Sequence, residues 1–192
     1  MIKKIAYIDC ETTGLNSKKN SLIEIAIVIK ESGKIIAQFQ TYIKPFEKAI
    51  INKTAMKVNG LDIDEIRKVG EDPDKALIKI KKFLGRFMDK NKRADRYLFY
   101  SWGKGFDERF IREFFIQNKD RTYKKYFHKS VDLMGMFCRA LERNKVKLKS
   151  RKLSYIAEYL KIDLREYKLH SALDDVLLMI DIENKIKQIG LF

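Results

Sequence analysis

Three apolar, β-rich runs follow one another without a helical pattern between them: Ile2 to Cys10, Leu22 to Lys30 and Lys34 to Ile43. Ser32-Gly33, between the last two, is a hairpin turn signal. Beyond Pro45 the pattern changes to a helical stretch near Thr54 to Val69. Asp72-Pro73 is a helix start, with Asp as N-cap and Pro at the first helical position. That helix runs to about Met88, with Leu77, Ile80, Leu84 and Phe87 as its apolar face. Tyr97 to Tyr100 reads as a fourth strand, Phe106 to Ile116 as a helix, and Ser130-Val131 as a short fifth strand. Leu133 to Leu141, Leu153 to Leu160 and Ser171 to Ile189 read as helices, the last one stopped by Gly190. This order predicts an α/β fold: a mixed sheet of three antiparallel strands followed by parallel strands, with helices on both faces. At 192 residues, with no Gly/Ser/Pro linker and no internal repeat, the expectation is one domain over residues 1–192.

Charge narrows the partner. Lys and Arg total 41 against 26 Asp and Glu, a formal net charge of +15. Such a field draws a polyanion, although a solvated Lys-rich surface gives the same count. Cys10 and Cys138 form neither a disulfide framework nor a metal-spacing motif and read as buried, reduced thiols of a cytoplasmic protein. The apolar run after Lys4 ends at Asp9, too soon for a signal peptide. Glu24 interrupts the longest apolar stretch, so no membrane span is expected.

Several carboxylates fall where apolar residues are expected. Asp9 and Glu11, two apart in an extended segment, project together on the face of Ile5 and Tyr7, while Cys10 faces away. Like charges this close repel unless a cation lies between them, although taken alone a solvated strand end before the Gly14 turn is the simpler explanation of the pair. Asp107 begins the stripe Phe110, Ile111 and Phe114, where it reads either as a helix N-cap or as a ligand. Asp175 lies on the inward stripe Ala172, Val176 and Met179, in mid-helix, where capping does not explain it. An Arg or Lys partner or a metal would. Four ionised carboxylates match two divalent cations, and hard oxygen ligands suit Mg²⁺ or Mn²⁺. Two such ions clamp the attacking and leaving oxygens of a phosphoryl transfer. His170, ahead of the last helix, reads either as a helix-terminal surface histidine, the usual case for a lone His, or as a base that accepts a proton from metal-bound water near pH 7. His128 sits in a Tyr/Lys-rich stretch and reads as a surface residue.

Together these residues carry a resemblance. Asp9-Cys10-Glu11-Thr12-Thr13-Gly14-Leu15 resembles the first motif of the DEDDh (DnaQ-like) 3′–5′ exonucleases. Gly105-Phe106-Asp107-Glu108-Arg109-Phe110 resembles the second, and His170-Ser171-Ala172-Leu173-Asp174-Asp175 has the HxAxxD form of the third. The resemblance covers nearly the whole chain and implies a ribonuclease H-like fold. It implies metal ligands at Asp9, Glu11, Asp107 and Asp175 and a general base at His170. It implies contact of Thr12 with the terminal 3′-OH and an apolar wedge at Leu15 against the terminal bases. Two positions depart from many relatives: Gly103 stands where Asn is common, and Asn59-Gly60 where His-Gly is. Ser101-Trp102-Gly103 looks more like the Eri/KapD-type branch, whose better-known members act on RNA.

The implied function is a metal-dependent 3′–5′ exonuclease that releases nucleoside 5′-monophosphates from single-stranded 3′ ends of RNA or DNA. Two other readings stay open. One is a polymerase-associated proofreading subunit, disfavoured by the expectation that no docking tail follows Phe192. The other is a non-catalytic nucleic-acid-binding module on the same fold, disfavoured by the intact five-residue set.

Overall fold

The computed structural model describes residues 4–89, 91–103 and 105–190. Ile2 and Lys3 of the first expected strand, and Phe192, lie outside the described residues. The strands are β1 (Lys4–Thr12), β2 (Leu22–Glu31), β3 (Lys34–Tyr42), β4 (Tyr97–Ser101) and β5 (Phe127–Asp132). They form one sheet in the order β3-β2-β1-β4-β5. The β1–β2 and β2–β3 pairs are antiparallel, and the β1–β4 and β4–β5 pairs are parallel. The expected mixed sheet is therefore what forms.

The helices are α1 (Lys53–Asn59), α2 (Ile63–Val69), α3 (Pro73–Gly85), α4 (Phe106–Gln117), α5 (Tyr123–Tyr126), α6 (Leu133–Arg143), α7 (Leu153–Tyr159) and α8 (Ala172–Gln188). Strand alternation divides the core in two. Ala6, Ile8, Cys10, Ile25 and Ile27 pack with Leu77, Ile80 and Leu84 of α3 and with Ile111, Phe114 and Phe115 of α4. Tyr7, Ala26 and Val28 pack on the opposite face with Phe137 of α6, Ile156 of α7, and Val176 and Met179 of α8. With both faces covered, β2 is buried along nine of its ten residues.

Three local expectations are corrected. The helical stretch over 54–69 is two helices, because Gly60 takes a left-handed φ of 65° at the end of α1. Asp62 then caps α2, accepting from the Asp64 N–H. Helix α3 stops at Gly85 rather than near Met88. Asp72 occupies the N-cap position of α3 but makes no cap hydrogen bond, since its carboxylate accepts from Lys44 at 2.8 Å and Lys75 at 2.9 Å.

Candidate active site

The carboxyl end of β1 brings Asp9 and Glu11 out on the α8 side of the sheet. There Asp9 pairs in register with Ala26 and Glu11 with Glu24 of β2. A register shift between Glu11 and Thr12 turns the chain away from the sheet at that point. Helix α4 starts beside it. Gly105, at φ 62°, is the cap residue, so Asp107 lies in the first turn and is no N-cap. Asp107 is buried, and the backbone N–H groups of Asp107 and Cys10 lie near its carboxylate and favour its charged form. Ser101 Oγ lies close enough to help hold that charge, but it falls outside good hydrogen-bond geometry and is buried without a partner.

Asp175 is in the first turn of α8 rather than in mid-helix, with its N–H donating to the Ser171 carbonyl at 2.9 Å. The positive end of the helix dipole favours a carboxylate there. His170 precedes that turn in a left-handed conformation, φ 65°, unusual for a residue with a side chain. The turn carries the imidazole to Glu11 and Asp175: one ligand atom from each of the three residues lies within 4.8 Å of the others.

The electrostatics are one-sided. Burial, then the charges of Asp107, Asp175, Glu11 and Glu24, push the Asp9 carboxyl well above the usual range. Burial, then Asp175, Glu24 and Asp107, raise Glu11 to about 8, partly offset by a hydrogen bond from Asn59. Burial raises Asp107 to about 7 against the pull of its hydrogen bonds and of Arg109. Burial raises Asp175 to about 6, with the His170 charge and backbone opposing. Each shift marks a carboxylate that lacks a full counter-charge. Buried hard oxygen donors that repel one another fit divalent cations.

Two neighbours escape a reading of the motifs. Glu24 is fully buried, accepts from Gln40 Nε2 through Oε1, and leaves Oε2 with no side-chain partner. Its only signal in sequence is a charge inside an apolar run. Asn59 stands at a position noted only as a departure, yet it is buried, donates to the Thr12 carbonyl at 3.2 Å and lies where its amide favours the charged form of Glu11.

Beside the acids, an apolar hollow of about 570 Å³ is lined by Leu15, Ala55, Val58 and Phe106, with Glu11 and Thr12 at its border. Leu15 is 83% exposed. Its loop is held by Asn20, whose side-chain amide donates to the Ile50 carbonyl at 2.7 Å and whose Oδ1 accepts from the Asn16 N–H at 2.9 Å. A Cβ on Gly14 would lie 2.5 Å from that Asn20 side chain, so only glycine fits. The Thr12 hydroxyl donates to the Gly14 carbonyl at 2.7 Å and completes the turn.

Sheet order and flanking helices define the class, a ribonuclease H-like fold, with an acidic cluster at the carboxyl end of its central strand. The chain belongs to the RNase T family, described as exonuclease, whose sequence model matches residues 6–182. Members of this family depend on divalent metal. Ribonuclease T of Actinobacillus pleuropneumoniae is 31% identical over 110 residues, 55% of this chain and 50% of that protein. The 3′–5′ DNA exonuclease Cap18 of Escherichia coli is 31% identical over 109 residues, 56% of this chain and 54% of that protein. A zinc-bound complex of E. coli exonuclease I with single-stranded DNA shares the fold at a TM-score of 0.81 and 19% identity, over 99% of this chain and 41% of that one. The chain thus spans about half the length of the curated relatives it matches. Among the described residues, no helix is long and apolar enough to cross a membrane.

Proposed function

We propose that this chain is a 3′–5′ exonuclease domain that removes nucleoside 5′-monophosphates from single-stranded 3′ ends of RNA or DNA. The observation that carries the reading is geometric: ligand atoms of Glu11, His170 and Asp175 lie within 4.8 Å of one another, with Glu11 at the border of an apolar hollow, and the charges of Asp9 and Asp107 bear on the same acids. Asp9, Glu11, Asp107 and Asp175 would hold two divalent cations, Mg²⁺ or Mn²⁺. Such ions supply charge neutralisation to the attacking and leaving oxygens of a phosphoryl transfer. Leu15 and Phe106 seat the terminal base against an apolar surface, and Thr12 borders the terminal sugar. A ring nitrogen of His170 accepts the proton of the attacking water, held in reach by the strained turn before α8. Asn59 and the backbone N–H groups around Asp107 fix the carboxylates in place before substrate arrives.

The test is a degradation assay on matched RNA and DNA oligomers with a label at either end. A 3′-labelled strand should release labelled mononucleotide first, and a free single-stranded 3′-OH should be cut faster than a 3′-phosphate or a blunt duplex end. If 5′-labelled substrate yields labelled mononucleotide as the first product, the polarity is wrong and the reading fails.

A further inference from the structure

Glu24, the third residue of β2, is fully buried, and neither the four metal-binding acids nor the base includes it. Its neighbours in register are Glu11 of β1 and Tyr42 of β3. Its Oε1 accepts from Gln40 Nε2, while its Oε2 is buried and makes no full hydrogen bond among the described residues. The carboxylate borders a small hollow of about 140 Å³, lined also by Tyr42, Asn59, Lys168, His170 and Ser171. Burial raises the Glu24 carboxyl above its ordinary range, and the Gln40 amide, the Ala172 N–H and the Lys168 charge oppose the rise. A buried acceptor left unmatched is costly unless something else draws on it. The segment ahead of α8 has such a need. His170 sits at a left-handed φ of 65°, a conformation that persists only where its surroundings over-determine it. The Ser171 N–H donates to the Lys168 carbonyl at 3.0 Å, and the Lys168 N–H to Asp174 Oδ2 at 3.2 Å. Both bonds stay within the segment and α8. Ser171, at the N-cap, makes no side-chain cap bond, so the first turn of this 17-residue helix takes no acceptor from its own cap residue.

We propose that Glu24 is a positioning residue for His170: Gln40 pins one carboxylate oxygen, the charge serves the first turn of α8, and β2 thereby holds the 168–171 segment and its imidazole in place. The assignment rests on the exonuclease reading for what His170 does, and on the surroundings of Glu24 for what holds it. A carboxylate suits the place, because the N-terminus of a helix carries the positive end of its dipole. Strand β2 suits it as an anchor, being paired on both sides and buried along nine of its ten residues. Glu24 is not a fifth metal ligand in this arrangement. The close group of ligand atoms among the described residues is Glu11, His170 and Asp175, and Glu24 lies outside it. Its effect reaches the chemistry through the imidazole, which must stay within reach of the attacking water. A displacement of about 1 Å caused by a change remote from the reacting atoms can cost about 10²-fold in rate.

The experiment compares Glu24→Met, Glu24→Gln and Gln40→Ala in the full chain, each alone and on a His170→Ala background. Glu24→Met keeps the length of the side chain and removes the acceptor. It should lower the maximal rate in Mg²⁺ by about 10–100-fold, with single-strand binding in chelator and the Mg²⁺ dependence as in the wild type. Glu24→Gln retains an acceptor oxygen and should recover most of that loss. Gln40→Ala, at an exposed position, should give a smaller loss of the same kind. On the His170→Ala background none of the three should cost anything further, because the group they act through is already gone. Hydrogen exchange at the Ala172 amide, read without metal or strand, should be about tenfold faster in Glu24→Met and close to wild type in Glu24→Gln. A raised Mg²⁺ requirement would make Glu24 a metal ligand and overturn the assignment. Equal losses with and without His170 would overturn it too, since they mark a general loss of structure. If Glu24→Met does not fold, Gln40→Ala decides: full turnover with wild-type exchange at Ala172 refutes the proposal. A wild-type chain that degrades no strand would sink the exonuclease reading, while faster Ala172 exchange in the variants would leave the hold of Glu24 on α8 standing.

Discussion

Tyr7 and Asp9 lie two residues apart on the same face of β1, yet they enter opposite kinds of buried polar site. Around Tyr7 the charges are matched. Glu183 of α8, 3% exposed, accepts a short hydrogen bond from the Tyr7 hydroxyl. Lys30 lies 3.2 Å from it and Lys187 3.0 Å. Burial alone would raise the Glu183 pKa, but the hydrogen bonds from Tyr7 and Lys187 and the two lysine charges outweigh it, and the net shift is downward. Around Asp9, among the described residues, the charges that bear on it are further carboxylates, and every shift is upward even where Arg109 and His170 oppose it. Both regions use α8 as their second wall. The contrast separates a polar network that completes the fold from one left incomplete for a ligand, since burial without compensation persists only where something else uses it.

The strongest way to break this contrast is to neutralise one acid of the unmatched site. Asp175→Asn is expected to abolish activity, a loss of about 10³-fold or more, because one missing ligand charge removes several kcal/mol of transition-state stabilisation. The fold should survive, and the metal-free melting temperature should hold or rise as repulsion is relieved. Near-normal turnover in Mg²⁺ would refute the four-carboxylate site. Next in size, His170→Ala should lower the maximal rate by about 10²–10⁴-fold and leave single-strand affinity little changed. His128→Ala, an exposed position on β5, should turn over like the wild type. Equal losses from the two histidine changes would remove His170 from the role of base.

How far the sequence reaches follows the same contrast. Asp9 and Glu11 are legible because a period of two puts both on one face, and Asp107 because it heads the Phe110, Ile111 and Phe114 stripe. Glu24 is not legible, because β2 is buried on both faces and a continuous apolar run does not say which face a lone charge takes. Only the hairpin registers set Glu24 opposite Glu11. Asn59 is hidden for a similar reason. It reaches Glu11 because Gly60 ends α1 there, and periodicity carries no sign of a left-handed cap inside what reads as one helix. The strands themselves, with short links and clear alternation, were the most readable part of the fold.

On the matched side the expected change is in stability rather than chemistry. Lys30→Met removes a buried cation from Glu183 while Lys187 remains. Breaking a buried pair this way should cost about 3 kcal/mol, read as a lower urea midpoint with unchanged slope. Turnover measured well below the melting transition should be that of the wild type. A variant that keeps its stability but loses turnover would show that the two regions are one network after all.

The smallest effect is the most discriminating, because the two regions should answer pH with opposite signs. A carboxyl whose folded pKa lies above its unfolded value contributes stability that is present below the unfolded pKa and is lost as pH rises through the folded one. In the acidic cluster the folded values are about 6 for Asp175, about 7 for Asp107 and about 8 for Glu11, with Asp9 also raised. Unfolded carboxyls titrate near about 4, so this loss spans roughly pH 4 to 8. Glu183, shifted down, contributes above its unfolded pKa and loses that contribution only as pH falls below it. Between about pH 5 and 8 Glu183 is therefore constant, and the cluster alone sets the slope. Chelator-treated protein should melt progressively lower across that window, by about 2–4 °C for each kcal/mol lost in a chain of this size. Saturating Mg²⁺ binds only the folded, ionised cluster, so it should raise the melting temperature most at the alkaline end and flatten the trend. Asp175→Asn should shrink the slope in chelator, and Lys30→Met should leave it unchanged. A metal-free melting temperature that rises from pH 5 to 8, or a slope untouched by Mg²⁺, would mean that the acids around Asp9 are compensated by something else and that the two ends of β1 are alike.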